Sequence, residues 1–271
     1  MEQGAFMNKL LADLRYFLSL LNPFSNKLLV HGKTRNLRFY VFKRDAVGRR
    51  LFKTGAFGTA FTEWVLKRYE KKGGNFIDIG ANFGYYSCLF GFVAKSNGLV
   101  LSVEPEPENL FLLNENVKLN ELKNIRIFPV AVGNADGEVV LNLYKNSNRG
   151  RHSILAANSG RTMTVPLKRI DDIAGELFFE GQRIDLMKID VEGYEPFVIE
   201  GAHVTLLRTD AVAIEYSPYL LHSFGKDAGN FLRKLAEKFP KISEITDASI
   251  HPIDLEQCFA SDDQRDLIFE R

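Results

Sequence analysis

Asp78-Ile79-Gly80-Ala81-Asn82-Phe83-Gly84 stands between an apolar run, Phe76 to Ile79, and a helical pattern, Tyr85 to Ala94. Glycine at a strand-to-helix turn adopts backbone angles closed to other residues and lets another group approach the main chain with no Cβ in the way. The turn also opens a helix, whose first amides favour a negatively charged group. Buried strand, glycine turn and helix, in that order, form the unit from which parallel sheets with crossover helices are built.

The unit recurs downstream. Apolar runs predict strands over Phe76 to Ile79, Val100 to Val103, Ile125 to Phe128, Leu186 to Asp190 and Val212 to Tyr216. Helical spacing predicts helices near Tyr85 to Ala94, Glu108 to Leu119, Pro196 to His203 and Gly229 to Phe239. Strands this apolar belong to a sheet covered on both faces. Before the fourth core strand the pattern breaks into Val139 to Tyr144, a polar stretch from Asn146 to Gly160, and Met163 to Leu167. Two antiparallel strands bridged by a mobile loop or lid are expected there, inserted where a crossover belongs. Ile242 to Thr246 and Leu267 to Phe269 are expected to close the sheet as a hairpin with one antiparallel strand.

Upstream, Ala60 to Lys71 carries Phe61, Trp64, Val65 and Leu66 on one face and ends at Gly73-Gly74, which predicts a helix. Leu28 to Phe52 reads as short strands, most clearly over Leu37 to Phe42. Phe6, Leu10, Leu14, Phe17 or Leu18, and Leu21 recur at helical spacing and predict an amphipathic helix that Pro23 stops. The expected architecture is α/β: a Rossmann-like, doubly wound, mostly parallel sheet over residues 55–271, with a helix and strand extension over 1–54.

A chain of 271 residues that is 45% hydrophobic can bury one large core without needing a second full domain. Its 35 basic and 34 acidic side chains leave a formal charge of +1, so no overall field draws it to nucleic acid, and no such partner is expected. Cys88 and Cys258 lie far apart with no partner spacing, which excludes a disulfide scaffold and fits a reducing compartment; a cytoplasmic location is expected. The apolar run from Leu10 to Leu21 is interrupted by Asp13 and Arg15, too short to span a bilayer and without a cleavage site. That helix is expected to pack on the domain or on a second copy in a homodimer, with peripheral membrane contact as the alternative.

The turn narrows the choice of cofactor. A dinucleotide fingerprint needs Gly-x-Gly-x-x-Gly, whereas this turn has Gly80 and Gly84 with Ala81 and Asn82 between, and Asp78 would repel a pyrophosphate. Asp78 would instead suit an ammonium, as at the amino-acid end of a methyl donor lying against the turn through Tyr85. Glu104-Pro105 ends the next strand where doubly wound folds place an acidic residue for ribose hydroxyls. Pro129 to Gly133, with Ala131 and Val132, offers small apolar groups for an adenine ring.

With these residues in place, the stretch from about Gly55 to Tyr216 resembles the FkbM-type methyltransferase family. The resemblance rests on Asp78 to Tyr86, Glu104-Pro105 followed by Asn116-Val117 and Asn120, Ala131 to Gly133, Arg169 to Asp172, and above all Lys188 to Glu195. It implies S-adenosylmethionine as methyl donor, a class I methyltransferase core and transfer to a hydroxyl, without implying one acceptor. The alternatives are a non-catalytic cofactor-binding module on the same frame and a nicotinamide-dependent oxidoreductase.

Lys188, Asp190 and Glu192 alternate at the carboxyl end of a strand whose other members are apolar, the edge where open α/β sheets bind ligands. The structural account is a Lys188–Asp190 ion pair with Glu192 capping the next helix. The functional one places Asp190 or Glu192 beside the transferred methyl, orienting the acceptor or taking its proton; Glu215 and the loop residue His152 are further candidates. No metal is expected, because no His-rich or Cys-rich ligand spacing appears. A small-molecule or sugar-containing acceptor is expected, its pocket built from 146–160, from Glu215 to Phe224 and from the N-terminal helix. Arg149 and Arg151 hint at an anionic acceptor, and Tyr216, Tyr219 and Phe224 at stacking on a ring.

Overall fold

The computed structural model describes residues 2–21, 25–144, 152–154, 160–223 and 227–271. The chain opens with α1 (Glu2–Leu20), a hairpin of β1 (Lys27–His31) and β2 (Arg38–Phe42), then α2 (Ala46–Thr54) and α3 (Thr59–Tyr69). β3 (Phe76–Ile79), α4 (Tyr85–Ala94), β4 (Val100–Val103), α5 (Pro107–Leu119) and β5 (Ile125–Phe128) form the first wound half. A small sheet follows, of β6 (Ala131–Gly133), β7 (Gly137–Leu143) and β8 (Arg161–Arg169), and then α6 (Ile170–Leu177). The second half has β9 (Leu186–Ile189), α7 (Glu195–Glu200), α8 (His203–Leu207), β10 (Ala211–Tyr216), α9 (Pro218–Ser223) and α10 (Ala228–Lys238). It ends with β11 (Lys241–Ile245), β12 (Ile250–Pro252), α11 (Leu255–Phe259) and β13 (Arg265–Glu270).

The large sheet runs β12-β11-β13-β10-β9-β3-β4-β5, with β10, β9, β3, β4 and β5 mutually parallel and β13 antiparallel to both its neighbours. The winding proceeds outward from β3 to β5, then reverses to β9 on the other side of β3. That reversal is a topological switch point, and the crevice outside the carboxyl ends of β3 and β9 is where such sheets take ligands.

Both faces are buried. On one, Ile77, Ile79, Leu101, Val103, Met187, Ile189, Val212 and Ile214 pack against Ile170, Val198, Leu206 and Leu232 of α6, α7, α8 and α10. On the other, Phe76, Val100, Leu186, Ala213 and Ile268 pack against Phe61, Val65, Leu89 and Phe90 of α3 and α4. The core strands and the 139–167 insertion lie where the sequence placed them. The terminal pair is not a tight hairpin, because β12 and α11 separate β11 from β13.

Several local expectations are corrected. Residues 46–54 are helical rather than strand: Asp45 caps the start, accepting from Gly48 N at 2.8 Å, and Gly55 ends it in the left-handed region at φ 68°. The helix expected at 196–203 is two, α7 and α8. A Cβ on Gly201 would lie 2.0 Å from the Gly133 carbonyl, so the chain must break beside β6, and Asp171 caps the new start by accepting from Val204 N at 3.0 Å and Thr205 N at 2.7 Å. α1 does not lay its apolar stripe on the domain. It docks through Tyr16, whose hydroxyl donates to Lys43 O at 2.5 Å and whose ring lies 6.0 Å from that of Phe52, while Leu10, Leu14, Phe17, Leu18 and Leu21 are exposed. Pro23, Arg149, Arg151 and Phe224, with most of the 146–160 loop, lie outside the described residues. Among the described residues no helix is long and apolar enough to cross a membrane.

The 1–54 extension is fastened to the sheet domain through α5. Asn116, fully buried, accepts from Tyr40 N at 2.6 Å and donates to Tyr40 O at 3.0 Å and Phe83 O at 2.8 Å. One turn on, Asn120 accepts from Arg38 N at 2.8 Å and donates to Arg38 O at 2.7 Å. Two asparagines thereby give the edge strand β2 a substitute for a neighbouring strand. Asn116→Ala leaves those main-chain groups unpaired and is expected to cost about 2–4 kcal/mol, read as a lower urea midpoint at unchanged slope.

Candidate active site

At the switch point the chain encloses a cavity of about 440 Å³, within the range of small-molecule sites. Its wall includes Gly80, Ala81, Asn82 and Tyr85 of the turn, Glu104 and Pro105 after β4, Ala131 and Val132 of β6, His152 of the insertion, and Lys188, Asp190, Glu192 and Glu215. Residues singled out from six separate stretches of sequence thus share one chamber. Asp78 and Gly84 do not line it.

The turn itself is built differently from expectation. A Cβ on Gly80 would sit 1.9 Å from the Asp190 carbonyl, and one on Gly84 would sit 2.4 Å from Leu113 Cδ1, so both glycines admit other parts of the chain rather than a ligand. The amides of the turn itself are spoken for. Gly80 N and Ala81 N donate to Val103 O at 3.1 and 3.0 Å, Asn82 N to Glu104 Oε2 at 2.7 Å, Phe83 N to Asn82 Oδ1 at 2.7 Å, and Gly84 N to Ala81 O at 2.9 Å. Glu104 is held from two sides, since Glu106 N donates to its other oxygen at 3.0 Å, and burial lifts its carboxyl to about 7 against the pull of those amides. Beside it in the wall, Asn109 Oδ1 is buried with no hydrogen-bond partner, an acceptor that sequence reading did not find.

Asp78 and Lys188 are register partners on β3 and β9, which puts them on the sheet face covered by α4. Lys188 Nζ donates to Asp190 Oδ2 at 3.1 Å, lies 3.8 Å from Asp78 Oδ1 and stands 5.2 Å above the Tyr86 ring. Burial works to lower the Lys188 pKa, but Asp190 and Asp78 outweigh it and hold it above the usual lysine value. Asp78 is fully buried and also accepts from Ser87 Oγ at 2.6 Å, and burial raises its pKa in spite of Lys188. The ammonium that Asp78 faces is therefore the chain's own, that of Lys188 in the cavity wall.

Above this pair runs a row of carboxyls. Asp190 leaves β9 on the same face, Glu215 ends β10, and Asp266 is its register partner on β13. Gln264 donates to Glu215 Oε1, while Oε2 is buried without a partner. Burial, then Asp190 and Glu192, push the Glu215 carboxyl well above its ordinary value, and burial with Asp190 lifts Asp266 to about 6. Carboxylate oxygens of Asp190, Glu192 and Glu215 lie within 4.8 Å of one another, where each ionised pair repels by about 3–4 kcal/mol at an effective dielectric of about 20.

The loop after β9 is held by Glu195, not capped by Glu192. Glu195 is fully buried and accepts from Val191 N at 3.0 Å and Gly193 N at 3.2 Å. Glu192 takes the left-handed φ of 52°, and its carbonyl accepts from Ser153 Oγ at 2.8 Å, tying the insertion to the site. His152 Nδ1 accepts from Tyr144 N at 2.8 Å, which leaves Nε2 as the protonated nitrogen of the neutral ring.

A family model described as the methyltransferase FkbM domain matches residues 78–241, more than half of the chain. The chain belongs to the FkbM methyltransferase domain family. Membership of a methyltransferase family sets the nicotinamide alternative aside. Among curated proteins, this chain is 27% identical over 167 residues to methyltransferase sdnD of Sordaria araneosa, covering 50% of this chain and 64% of that one. It is 25% identical over 173 residues to the 2-O-methyltransferase NoeI of Sinorhizobium fredii (strain NBRC 101917 / NGR234), covering 58% and 69%. The crystal structure of methyltransferase FkbM from Methylobacillus flagellatus KT superposes with a TM-score of 0.50 at 17% identity, covering 82% of this chain and 52% of that one, and shows the same fold. The chain spans about half to two thirds of the length of these proteins.

The chamber fits the family's cofactor on two observations: its volume, and the orphaned acceptor of Asn109 beside Glu104, which a ribose hydroxyl or an exocyclic amine would satisfy.

The raised carboxyl of Glu195 gives a stability test. Its folded value of about 7 exceeds the ordinary 4.5, so its contribution is complete below about 4.5 and is lost as pH rises through about 7. Glu195→Gln keeps the acceptor for both amides and removes the titration. The melting temperature of the variant relative to wild type is expected to rise by about 4 °C or more between pH 5 and pH 8, measured by calorimetry.

Proposed function

We propose that this chain transfers a methyl group from S-adenosylmethionine to a hydroxyl oxygen of a sugar, glycolipid or other small polyhydroxylic acceptor. The carrying observation is that Asp190, Glu192 and Glu215 meet Gly80, Asn82 and Glu104 in one chamber at the switch point. The name of NoeI, a 2-O-methyltransferase, supports oxygen as the receiving atom.

The bound cofactor supplies an activated methyl group with a neutral sulfide as leaving group. Glu104 and Asn109 hold its ribose and base, and Ala131, Val132 and Pro105 form the apolar wall beside them. A second cavity of about 280 Å³ opens from the first across Phe57, Tyr86, Lys188, Asp190, Glu215 and Gln264, and continues to Arg50, Asp247 and Asp266. The acceptor is assigned to this second cavity, whose wall includes Glu215 and no residue of α1. Carboxyl oxygens on its walls bind neutral hydroxyls and disfavour an anion.

Asp190 takes the acceptor's proton as the new bond forms; Lys188 holds one of its oxygens and leaves the other for that task. His152 serves as a donor, since its Nδ1 lone pair is used. Glu215, on the wall that the two cavities share, helps to orient the acceptor.

Calorimetric titration with S-adenosylhomocysteine, with NAD as control, is the direct test: saturable binding of the former alone is expected, and binding of neither would leave a non-catalytic frame. Asn109→Ala should weaken that binding by about tenfold through one lost buried hydrogen bond. Asp190→Asn should lower kcat by about 10²-fold or more while leaving the S-adenosylhomocysteine Kd within about threefold; an unchanged kcat removes Asp190 from proton transfer.

A further inference from the structure

We propose that Asp190, Glu192 and Glu215 form a binding site for a hard divalent cation of the Mn²⁺, Mg²⁺ or Ca²⁺ class. Three segments deliver the ligands: the carboxyl end of β9, the left-handed turn after it, and the carboxyl end of β10. One carboxylate oxygen from each lies within 4.8 Å of the other two. Opposite ligands of a cation bound at about 2.4 Å are about 4.8 Å apart, so the three oxygens are already at coordination spacing.

The independent sign of a ligand is Glu215. The residue is 8% exposed, Gln264 fixes its Oε1, and its Oε2 is buried in the chamber wall with no hydrogen-bond partner. A buried carboxylate oxygen without a hydrogen-bond partner, a few ångströms from two other carboxylates, is a group that a bound cation would satisfy. Lys188 does not fill the role, because its ammonium is engaged by Asp78 and by Asp190 Oδ2.

An all-oxygen set selects hard cations over zinc or copper, and three protein ligands leave further positions for water or for neighbouring acceptor hydroxyls. The expectation of no metal rested on the lack of His or Cys spacing. Carboxylates gathered from residues 190, 192 and 215 leave no such mark in the sequence. The inference does not depend on methyl transfer.

The test is titration of the full chain, without any cofactor, with MnCl₂ followed by electron paramagnetic resonance. One bound Mn²⁺ per chain is expected, displaced by excess Mg²⁺ or Ca²⁺, together with a rise in the melting temperature. Glu215→Gln should weaken Mn²⁺ binding at least tenfold, and Glu192→Gln, on the loop and half-buried, gives a second reading should the first variant fail to fold. No stoichiometric Mn²⁺, or binding unaltered in the folded variants, overturns the site. Because S-adenosylhomocysteine binding is measured separately on the same protein, its persistence beside absent Mn²⁺ binding would dismiss the cation and leave the methyltransferase reading standing.

Discussion

The arrangement of the site depends on one buried cation. Lys188 lies between Asp78 and Asp190 on the face of the sheet that α4 covers, and the strands that carry these residues are hydrogen-bonded neighbours. Withdrawing an ammonium or a carboxylate from water costs several kcal/mol, and only mutual attraction with good geometry offsets that cost. Tyr86 and Ser87, consecutive on α4, complete the cage by covering the lysine and bonding Asp78. The pair therefore fixes the relation between the first glycine turn, the helix that follows it and the end of β9.

From that fixed point the chamber is assembled by main-chain contacts. The Asp190 carbonyl fits against the bare Cα of Gly80, Glu195 gathers the amides of Val191 and Gly193, and Glu104 bridges the Asn82 and Glu106 amides. The last two are buried carboxyls that satisfy main-chain donors. The acidic side chains of this family's motifs thus serve in two layers. Asp78, Glu104 and Glu195 shape the loops, and Asp190, Glu192 and Glu215 face the space those loops enclose. Burial is the largest cause of the raised carboxyls of Asp78, Glu104, Glu195 and Glu215.

Asn116 and Asn120 extend the same logic away from the chemistry. They belong to the pattern that resembles the family, yet what they touch is the backbone of β2. Their amides are two-sided, able to donate and accept at once, so a helix can dock an edge strand that has no strand neighbour on that side. The N-terminal extension is in this way continuous with the core that Phe39, Phe83 and Tyr85 share.

Five core strands, the helices between them and the inserted strand pair were readable in the sequence because their signals are local: runs of apolar residues, glycine turns and helical spacing. The stretch 46–54 was misread because its capping by Asp45 and Gly55 outweighs a β-rich composition, and the division of α7 from α8 depends on Gly201 meeting Gly133, a contact 68 positions apart. The positions of Asp190, Glu192 and Glu215 at a strand's carboxyl edge were likewise local facts. What only the tertiary structure decided is what those groups meet. It paired Asp78 with Lys188, took up the turn's amides, left the Asn109 and Glu215 oxygens without partners, and brought three carboxyls from two strands together. The sequence by itself determined the elements and the edge at which chemistry occurs, since periodicity along a chain encodes which face is buried. Pairing and charge balance are set across strands, by distances that no spacing along the chain records.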